Sequence, residues 1–144
     1  MMTVKVVCVG TLKEAYWREA CAEYEKRLSA FCKYKLIALP ESTLPQEKDA
    51  ILKECEGYVV ALCVEGKPMP SEAFAEKIAA VSQISSKITF VIGSSCGLDP
   101  AVKQRADLRL SFSQFTFPHQ MMRVILLEQI YRAFTIQRNM TYHK

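Results

Sequence analysis

The last quarter of the chain reads, from Leu110 to Lys144, LSFSQFTFPHQMMRVILLEQIYRAFTIQRNMTYHK. Pro118 suits the start of a helix, and the pattern predicts that this helix runs to about Arg138. Its apolar residues project nearly all round the helix, which indicates burial on more than one side. They are Met121, Met122, Val124, Ile125, Leu126, Leu127, Ile130, Tyr131, Ala133, Phe134 and Ile136. A small domain covers one side of a terminal helix easily but hardly both, so we predict a homodimer packed on this helix. A central core helix in a monomer is the alternative.

Upstream of this helix, short apolar runs alternate with amphipathic or polar stretches. Strands are predicted over Thr3–Val9, Lys35–Leu39, Tyr58–Val64, Lys87–Ile92 and Leu108–Phe112. Helices are predicted over Leu12–Phe31, Pro45–Glu56 and Ser71–Ser82, with a short helix capped by Asp99 before the final one. Ser71 is expected to cap its helix, after a tight loop over Glu65–Pro70. This alternation favours an α/β fold, a parallel sheet with helices on both faces, built as a single domain over residues 1–144.

The composition excludes several classes of protein. Half of the 144 residues are apolar, as in a globular domain. No apolar run approaches the roughly 18–20 residues that a membrane-spanning helix needs, so no membrane partner is expected. The N-terminus becomes polar too soon for a signal peptide, and we expect a cytoplasmic protein. Six cysteines without a Cys-x-x-Cys pair, and only two histidines, argue against a metal site.

The positive charge is concentrated at one end of the chain. Residues 1–98 carry 12 basic and 12 acidic side chains, whereas residues 99–144 carry 7 and 3, which accounts for the whole net charge of +4. Such a distribution suits a polyanionic partner. An ordinary solvated basic face explains it equally well.

Three predicted loops follow apolar strands. They are Glu65–Pro70, Gly93–Gly97 and Ser113–Pro118. In open parallel sheets ligands bind at the carboxyl ends of the strands, so these loops are expected to form a slot that suits a flat heterocycle such as adenine. The spacing Gly93-x-x-x-Gly97 is by itself typical of a strand-to-helix turn, and it is neither a dinucleotide fingerprint nor a Walker loop.

The loop before the last helix contains three aromatic residues among polar ones, Phe112, Phe115 and Phe117. They either plug the core or frame a ligand pocket. His119, in the first turn of the helix, is a capping or core histidine or else a catalytic one. Glu128 and Arg132 are spaced to pair, while Arg123 lies on another face and could bind phosphate at a dimer seam.

The chain ends in Tyr142-His143-Lys144. An aromatic ring, an imidazole and a cation suit stacking on a base and holding a phosphate. A frayed terminus is the alternative.

These residues together resemble a known family. The run from Leu110 through Phe-Pro-His-Gln-Met-Met-Arg to Glu128-Gln-Ile-Tyr-Arg-Ala-Phe, with its Tyr-His-Lys end, is similar to the RlmH family, minimal SPOUT-superfamily methyltransferases. The resemblance extends over the whole chain. It includes Val9-Gly10-Thr11-Leu12-Lys13, Glu23-Tyr24-Glu25-Lys26-Arg27, Gly66-Lys67, Val91-Ile92-Gly93 and Gly97-Leu98.

The resemblance implies a C-terminal trefoil knot, a homodimer packed on the last helix, and S-adenosyl-L-methionine as methyl donor. It implies methyl transfer to N3 of a pseudouridine in 23S rRNA, with large-subunit rRNA within the assembled ribosome as partner. The donor's contacts would be Leu62, Gly93, Phe112, Ser113, Gln114, Phe115, Thr116 and Phe117. The chain departs from the family at Gly93-Ser94, where two glycines are usual, and in a shorter segment Pro40–Glu56.

Catalytic roles follow from the chemistry of the acceptor. N3 of pseudouridine is an imide nitrogen that must lose its proton, which a base or a cation assists. His143 and Arg123 are the candidates for this role, Tyr142 is expected to stack on the target base, and Lys144 to hold phosphate. Two rival classes are a non-catalytic nucleotide- or RNA-binding module, and a nucleotide hydrolase or oxidoreductase of Rossmann or flavodoxin type; missing phosphate and dinucleotide fingerprints argue against the latter.

Overall fold

A computed structural model describes all residues from Met1 to Lys144 as one five-stranded sheet with five helices. All strand pairs are parallel, and the strands lie in the order β2-β1-β4-β3-β5. The strands are β1 Thr3–Val9, β2 Lys33–Leu39, β3 Tyr58–Pro68, β4 Lys87–Ile92 and β5 Leu108–Ser111. The helices are α1 Ala15–Leu28, α2 Leu44–Glu54, α3 Ser71–Ser82, α4 Pro100–Arg105 and α5 His119–Gln137. The predicted α/β fold with a parallel sheet is confirmed.

The helices cover both faces of the sheet, as predicted. On one face α1, α3 and α5 pack against the larger core, which includes Val6, Phe90 and Leu126. On the other face α2 and α4 pack against a smaller core around Val91 and Val102. The central strands β1 and β4 are therefore buried on both sides, which explains their nearly continuous apolar sequences.

The segment before α3 differs from its prediction. Instead of forming a tight loop over Glu65–Pro70, β3 continues to Pro68, because Lys67 resumes pairing with Leu110 after a register shift that follows Leu62. The Cβ of any larger residue at Gly66 would lie 2.8 Å from backbone atoms of β5. Glycine is thus what allows the two strands to stay this close beyond the bulge.

Several element ends also differ from their predictions. Ser71 does not cap α3: Pro70 holds the cap position, and the Ser71 hydroxyl donates to the side-chain oxygen of Gln129 on α5, at 2.7 Å. Helix α1 is shorter than predicted, because Glu14 is extended rather than helical. The predicted Asp99 cap is confirmed, since its carboxylate accepts the N–H of Ala101 at 2.8 Å.

The final helix lies on the sheet between α1 and α3. Every residue from His119 to Ile136 is at least partly buried within the single chain. Leu126, Leu127 and Ile130 face the core, whereas Met121 and Ile125 lie on the opposite, half-buried side. The central position explains part of the all-round apolar pattern, and the predicted homodimer and knot stay predictions.

No helix has the length and apolarity that crossing a bilayer requires. No cluster of histidine, cysteine and acidic side chains with the makings of a metal site is present.

A candidate cofactor site at the carboxyl edge of the sheet

A cavity of about 450 Å³ opens at the carboxyl edge of the sheet, beside the middle of β3 and beyond the ends of β4 and β5. Its walls are Leu62–Glu65 of β3, parts of the predicted loops Gly93–Gly97 and Ser113–Pro118, and the first turn of α5. Of the predicted loop Glu65–Pro70, only Glu65 lines the cavity, because β3 continues to Pro68. Seven of the eight residues predicted to contact the methyl donor line it: Leu62, Gly93, Phe112, Ser113, Phe115, Thr116 and Phe117. The eighth, Gln114, is exposed and does not line the cavity. The cavity is of the size that small-molecule ligands occupy in proteins.

The wall after β4 is a tight glycine loop. A Cβ at Gly93 would lie 2.5 Å from the carbonyl oxygen of Gly97, so only glycine fits there without a shift of the backbone. Gly97 has φ of +80°, and its N–H donates to the carbonyl of Ser94 at 2.9 Å. The loop therefore presents main chain, rather than bulky side chains, to the cavity.

The wall after β5 is the aromatic loop. Phe112 packs edge-on against Phe74 with the ring centroids 6.4 Å apart, which anchors it to α3. The Ser113 hydroxyl accepts the N–H of Phe115 at 3.0 Å and turns the loop sharply. Phe115 is 77 % exposed at the cavity mouth. The pocket-framing interpretation of these aromatic residues is thus the one that the geometry favours.

The lining also contains four titratable side chains that were not among the predicted site residues. They are Cys63, Glu65, Lys103 and His119, of which only His119 had been considered, with its role left open. Lys103 donates to the carboxylate of Glu65 and holds the pKa of that carboxyl below its ordinary value. Partial burial raises the pKa of the Cys63 thiol, so it is neutral rather than a nucleophilic thiolate. Cys63 and Glu65 could have been found from the sequence, because Cys63 lies near the end of the apolar run Tyr58–Val64 and Glu65 directly follows it.

Arg123 lies outside the cavity lining, one turn after His119. Its side chain is only 3 % exposed and donates to the carbonyl of Gly10, at the end of β1, at 3.1 Å. The Nε–H of Arg123 has no protein acceptor. A buried cation with an unused donor therefore lies at the carboxyl edge of the sheet.

The tail residues Tyr142 and His143 also lie outside the cavity lining. Tyr142 packs edge-on against Tyr131, and its ring lies 4.8 Å from the Arg132 guanidinium carbon. One imidazole nitrogen of His143 lies 3.1 Å from Arg132 and the other lies 2.9 Å from the carboxylate of Glu72, on α3.

The tail is thus docked rather than frayed. The structure does not bring it to the cavity of its own chain. The predicted pair of Glu128 and Arg132, on which the tail rests, is confirmed at 2.8 Å.

A parallel α/β sheet with a glycine-walled pocket at its carboxyl edge defines a class, and the comparisons identify it as that of the SPOUT methyltransferases. The family model described as "Predicted SPOUT methyltransferase" matches residues 2–143. The chain belongs to this family and is a methyltransferase. The rival assignments as a binding module without catalysis, or as a hydrolase or oxidoreductase, are therefore wrong.

Full-length relatives identify a narrower family within this class, the one that the sequence resembles. The chain is 44 % identical to the ribosomal RNA large subunit methyltransferase H of Leuconostoc citreum, over 99 % of this chain and 100 % of the relative. It is 46 % identical to the protein of that name from Levilactobacillus brevis, with the same coverage. These alignments span 159 and 160 positions, so the relatives contain residues that this chain of 144 lacks.

Solved structures agree on the fold. A probable methylase family protein from Haemophilus influenzae superposes with a TM-score of 0.59 at 15 % identity, covering 98 % of this chain and 70 % of that one. TrmJ from Z. mobilis superposes with a TM-score of 0.53 at 13 % identity, covering 94 % and 70 %.

Proposed function

We propose that this methyltransferase uses S-adenosyl-L-methionine to methylate N3 of a pseudouridine in 23S rRNA. The relatives' names support rRNA as the substrate class. The observation that carries the proposal is the cavity at the carboxyl edge, where seven residues expected to contact the donor come together from strand β3 and from the loops that follow β4 and β5.

The residues around the cavity fit this donor. The apolar side chains of Leu62, Ile92 and Phe112 and the bare backbone at Gly93 offer a flat, close-fitting wall of the kind that an adenine ring needs. When bound, the sulfonium of the donor supplies a methyl carbon open to attack by a nucleophilic nitrogen.

The protein's contribution is orientation and removal of a proton. The glycine loop and the aromatic loop hold the donor, so that an incoming nitrogen meets it in line. Arg123 supplies a permanent positive charge and an unused Nε–H near this edge, which lowers the pKa of the acceptor imide. His143 accepts the imide proton, and Tyr142 stacks on the target base.

We further propose that the tail acts in the site of a partner subunit. Within its own chain it is held on α5 by Tyr131 and Arg132 and lines no part of the cavity. A homodimer packed on the outer side of α5 would let this tail meet the partner's cavity. The site would then be complete only in the dimer, with the C-terminal segment of each subunit in the knotted arrangement implied by the resemblance.

The assembled ribosome in the cytoplasm is the proposed substrate. The net charge of +4 gives little non-specific affinity for a polyanion, because few phosphates are neutralised. Recognition therefore depends on the folded rRNA and its surroundings, rather than on charge alone.

The test is methyl transfer from labelled S-adenosyl-L-methionine to ribosomes that lack the modification, beside the same rRNA freed of protein. We expect transfer to ribosomes and little transfer to free rRNA. A protein that binds the donor in calorimetry but transfers no methyl group to either RNA would refute the proposed substrate.

A further inference from the structure

A buried carboxylate lies behind the glycine loop. Glu47, in the first turn of α2, is only 4 % exposed and has no cationic partner. One of its oxygens accepts the N–H of Ser42 at 3.0 Å. The other accepts the hydroxyl of Ser94 at 3.0 Å, across 47 residues of sequence. A buried carboxylate must keep such donors, because losing one leaves an oxygen without a hydrogen bond.

Ser94 transmits this contact to the cavity wall. Its hydroxyl, which donates to Glu47, also accepts the N–H of Cys96 at 3.3 Å. Its carbonyl accepts the N–H of Gly97 at 2.9 Å. The loop that follows β4 is thus closed on itself and tied to α2 through one side chain.

A small shift of this loop would change the shape of the cavity. Gly93, Ser94 and Gly97 all line the cavity, and the backbone at Gly93 already lies against the Gly97 carbonyl. Helix α2 is itself fixed, because Ile51 packs in the smaller core with Val91, on β4. Glu47 therefore connects a rigid element to a loop that has little room to move.

We propose that Glu47 is a positioning residue for the methyl donor: it holds Ser94, and through Ser94 the glycine loop, in the form that receives the donor. The proposal rests on the proposed function, in that the cavity is taken as the donor's site. It also explains how this chain uses the serine at position 94, whose hydroxyl is engaged by α2.

The experiment is a double-mutant cycle on donor binding. Ser94→Ala, Glu47→Ala and the double variant are titrated with S-adenosyl-L-methionine by calorimetry, with the exposed Asp49→Asn on the same helix as control. We expect each single variant to bind about tenfold more weakly, which is the effect of one lost charge-assisted hydrogen bond. The double variant should bind no more weakly than the weaker-binding single variant, because each single variant already removes the contact between Glu47 and Ser94.

Kinetics and a conservative variant separate positioning from a merely structural role. In the single variants the KM for the donor should rise, whereas kcat at saturating donor should stay within about twofold of the wild-type value. Ser94→Thr keeps the hydroxyl and should restore most of the affinity. Both serine variants make small changes in a surface loop, so they test the proposal even where Glu47→Ala fails to fold. Wild-type affinity in Ser94→Ala would overturn it.

Amide hydrogen exchange in the donor-free protein tests the positioning of the glycine loop independently of the proposed function. Faster exchange at Cys96 and Gly97 in Glu47→Ala, and at Gly97 in Ser94→Ala, supports the role of Glu47 and Ser94 in holding the loop, because these changes leave the acceptors of those amides in place. Unchanged exchange overturns it. A wild-type protein that binds no donor refutes the proposed function, and the exchange rates then decide the loop's positioning alone.

Discussion

Gly93 and Gly97 belong to one loop, but the structure requires glycine at these positions for different reasons. At Gly93 there is no room for a Cβ, whereas at Gly97 nothing lies within 4 Å and only the backbone conformation favours glycine. Their spacing in the sequence suggested a turn that needs positive φ. It could not show that one glycine forms the cavity wall, because that depends on the path of the backbone four residues further on.

This difference gives a pair of matched variants. Gly93→Ala should weaken binding of S-adenosyl-L-methionine more than tenfold, because the new Cβ must displace the Gly97 carbonyl from the cavity wall. Gly97→Ala should cost about 1–2 kcal/mol of stability through its left-handed φ but leave donor affinity within about threefold. Calorimetry and urea unfolding of both variants measure these effects. Equal loss of affinity in the two would contradict the assignment of Gly93.

The buried thiols make stability depend on alkaline pH. Burial raises the pKa of Cys21 and Cys32 to about 11 in the folded protein, whereas in the unfolded chain they ionise at an ordinary thiol pKa. Raised folded values mean that this stability is present below the unfolded pKa and is lost as the pH rises through the folded pKa.

The midpoint of urea unfolding should therefore fall between about pH 8.5 and about pH 11, the unfolded and folded thiol pKa values. Cys32→Ala should show a smaller fall over the same range, because it removes one of the linked thiols. A fall of unchanged size in that variant would show that Cys32 does not contribute.

Among individual residues, local patterns predicted loops at the carboxyl edge, and the resemblance supplied the residues proposed to contact the donor, but neither indicated Glu47. Strand ends and glycine loops can be recognised locally, since they follow apolar runs. Glu47 lies in a helix of mostly polar sequence, and its two hydrogen-bond donors, Ser42 and Ser94, lie outside that helix. Ser71 was misassigned as a cap for the same reason, because its real partner is Gln129.

At the level of elements, all five strands and five helices were predictable, because parallel strands and amphipathic helices differ clearly in apolar period. The exception in β3, which runs on to Pro68, depends on pairing with β5 across a bulge. That pairing is non-local and leaves no periodic signal in Glu65–Pro68.

The predicted homodimer packs on helix α5. Met121 lies on the half-buried outer side of α5, so Met121→Asp should give a monomer by placing a charge in the interface. Ile84→Asp, at an apolar residue that is 77 % exposed after α3, should leave the dimer intact. Light scattering coupled to size exclusion measures both. A monomeric wild-type protein would contradict the dimer.

For the whole molecule, the sequence suggested the dimer through α5, and the knot only through resemblance. Both depend on how distant segments or separate subunits meet, which no local pattern records. The docked tail raises the question of which cavity it serves, because His143 and Tyr142 contact α3 and α5 of their own chain rather than its cavity.

Subunit mixing tests whether the tail serves the partner. Deleting Tyr142–Lys144 should abolish methylation but leave donor binding and dimerisation intact. Mixed with the Gly93→Ala protein, the truncated protein should regain activity, since each mixed dimer holds one intact cavity facing one intact tail. Mixtures that stay inactive, although mixed dimers form, would place the tail in its own site.

The most direct test of the central claim is to identify the methylated nucleoside. Ribosomes lacking the modification are incubated with the protein and S-adenosyl-L-methionine, and the digested 23S rRNA is analysed by mass spectrometry. The account predicts a single new methylated nucleoside, a pseudouridine with the methyl group on N3. No new methyl group, or one on a ribose or another base, would contradict it.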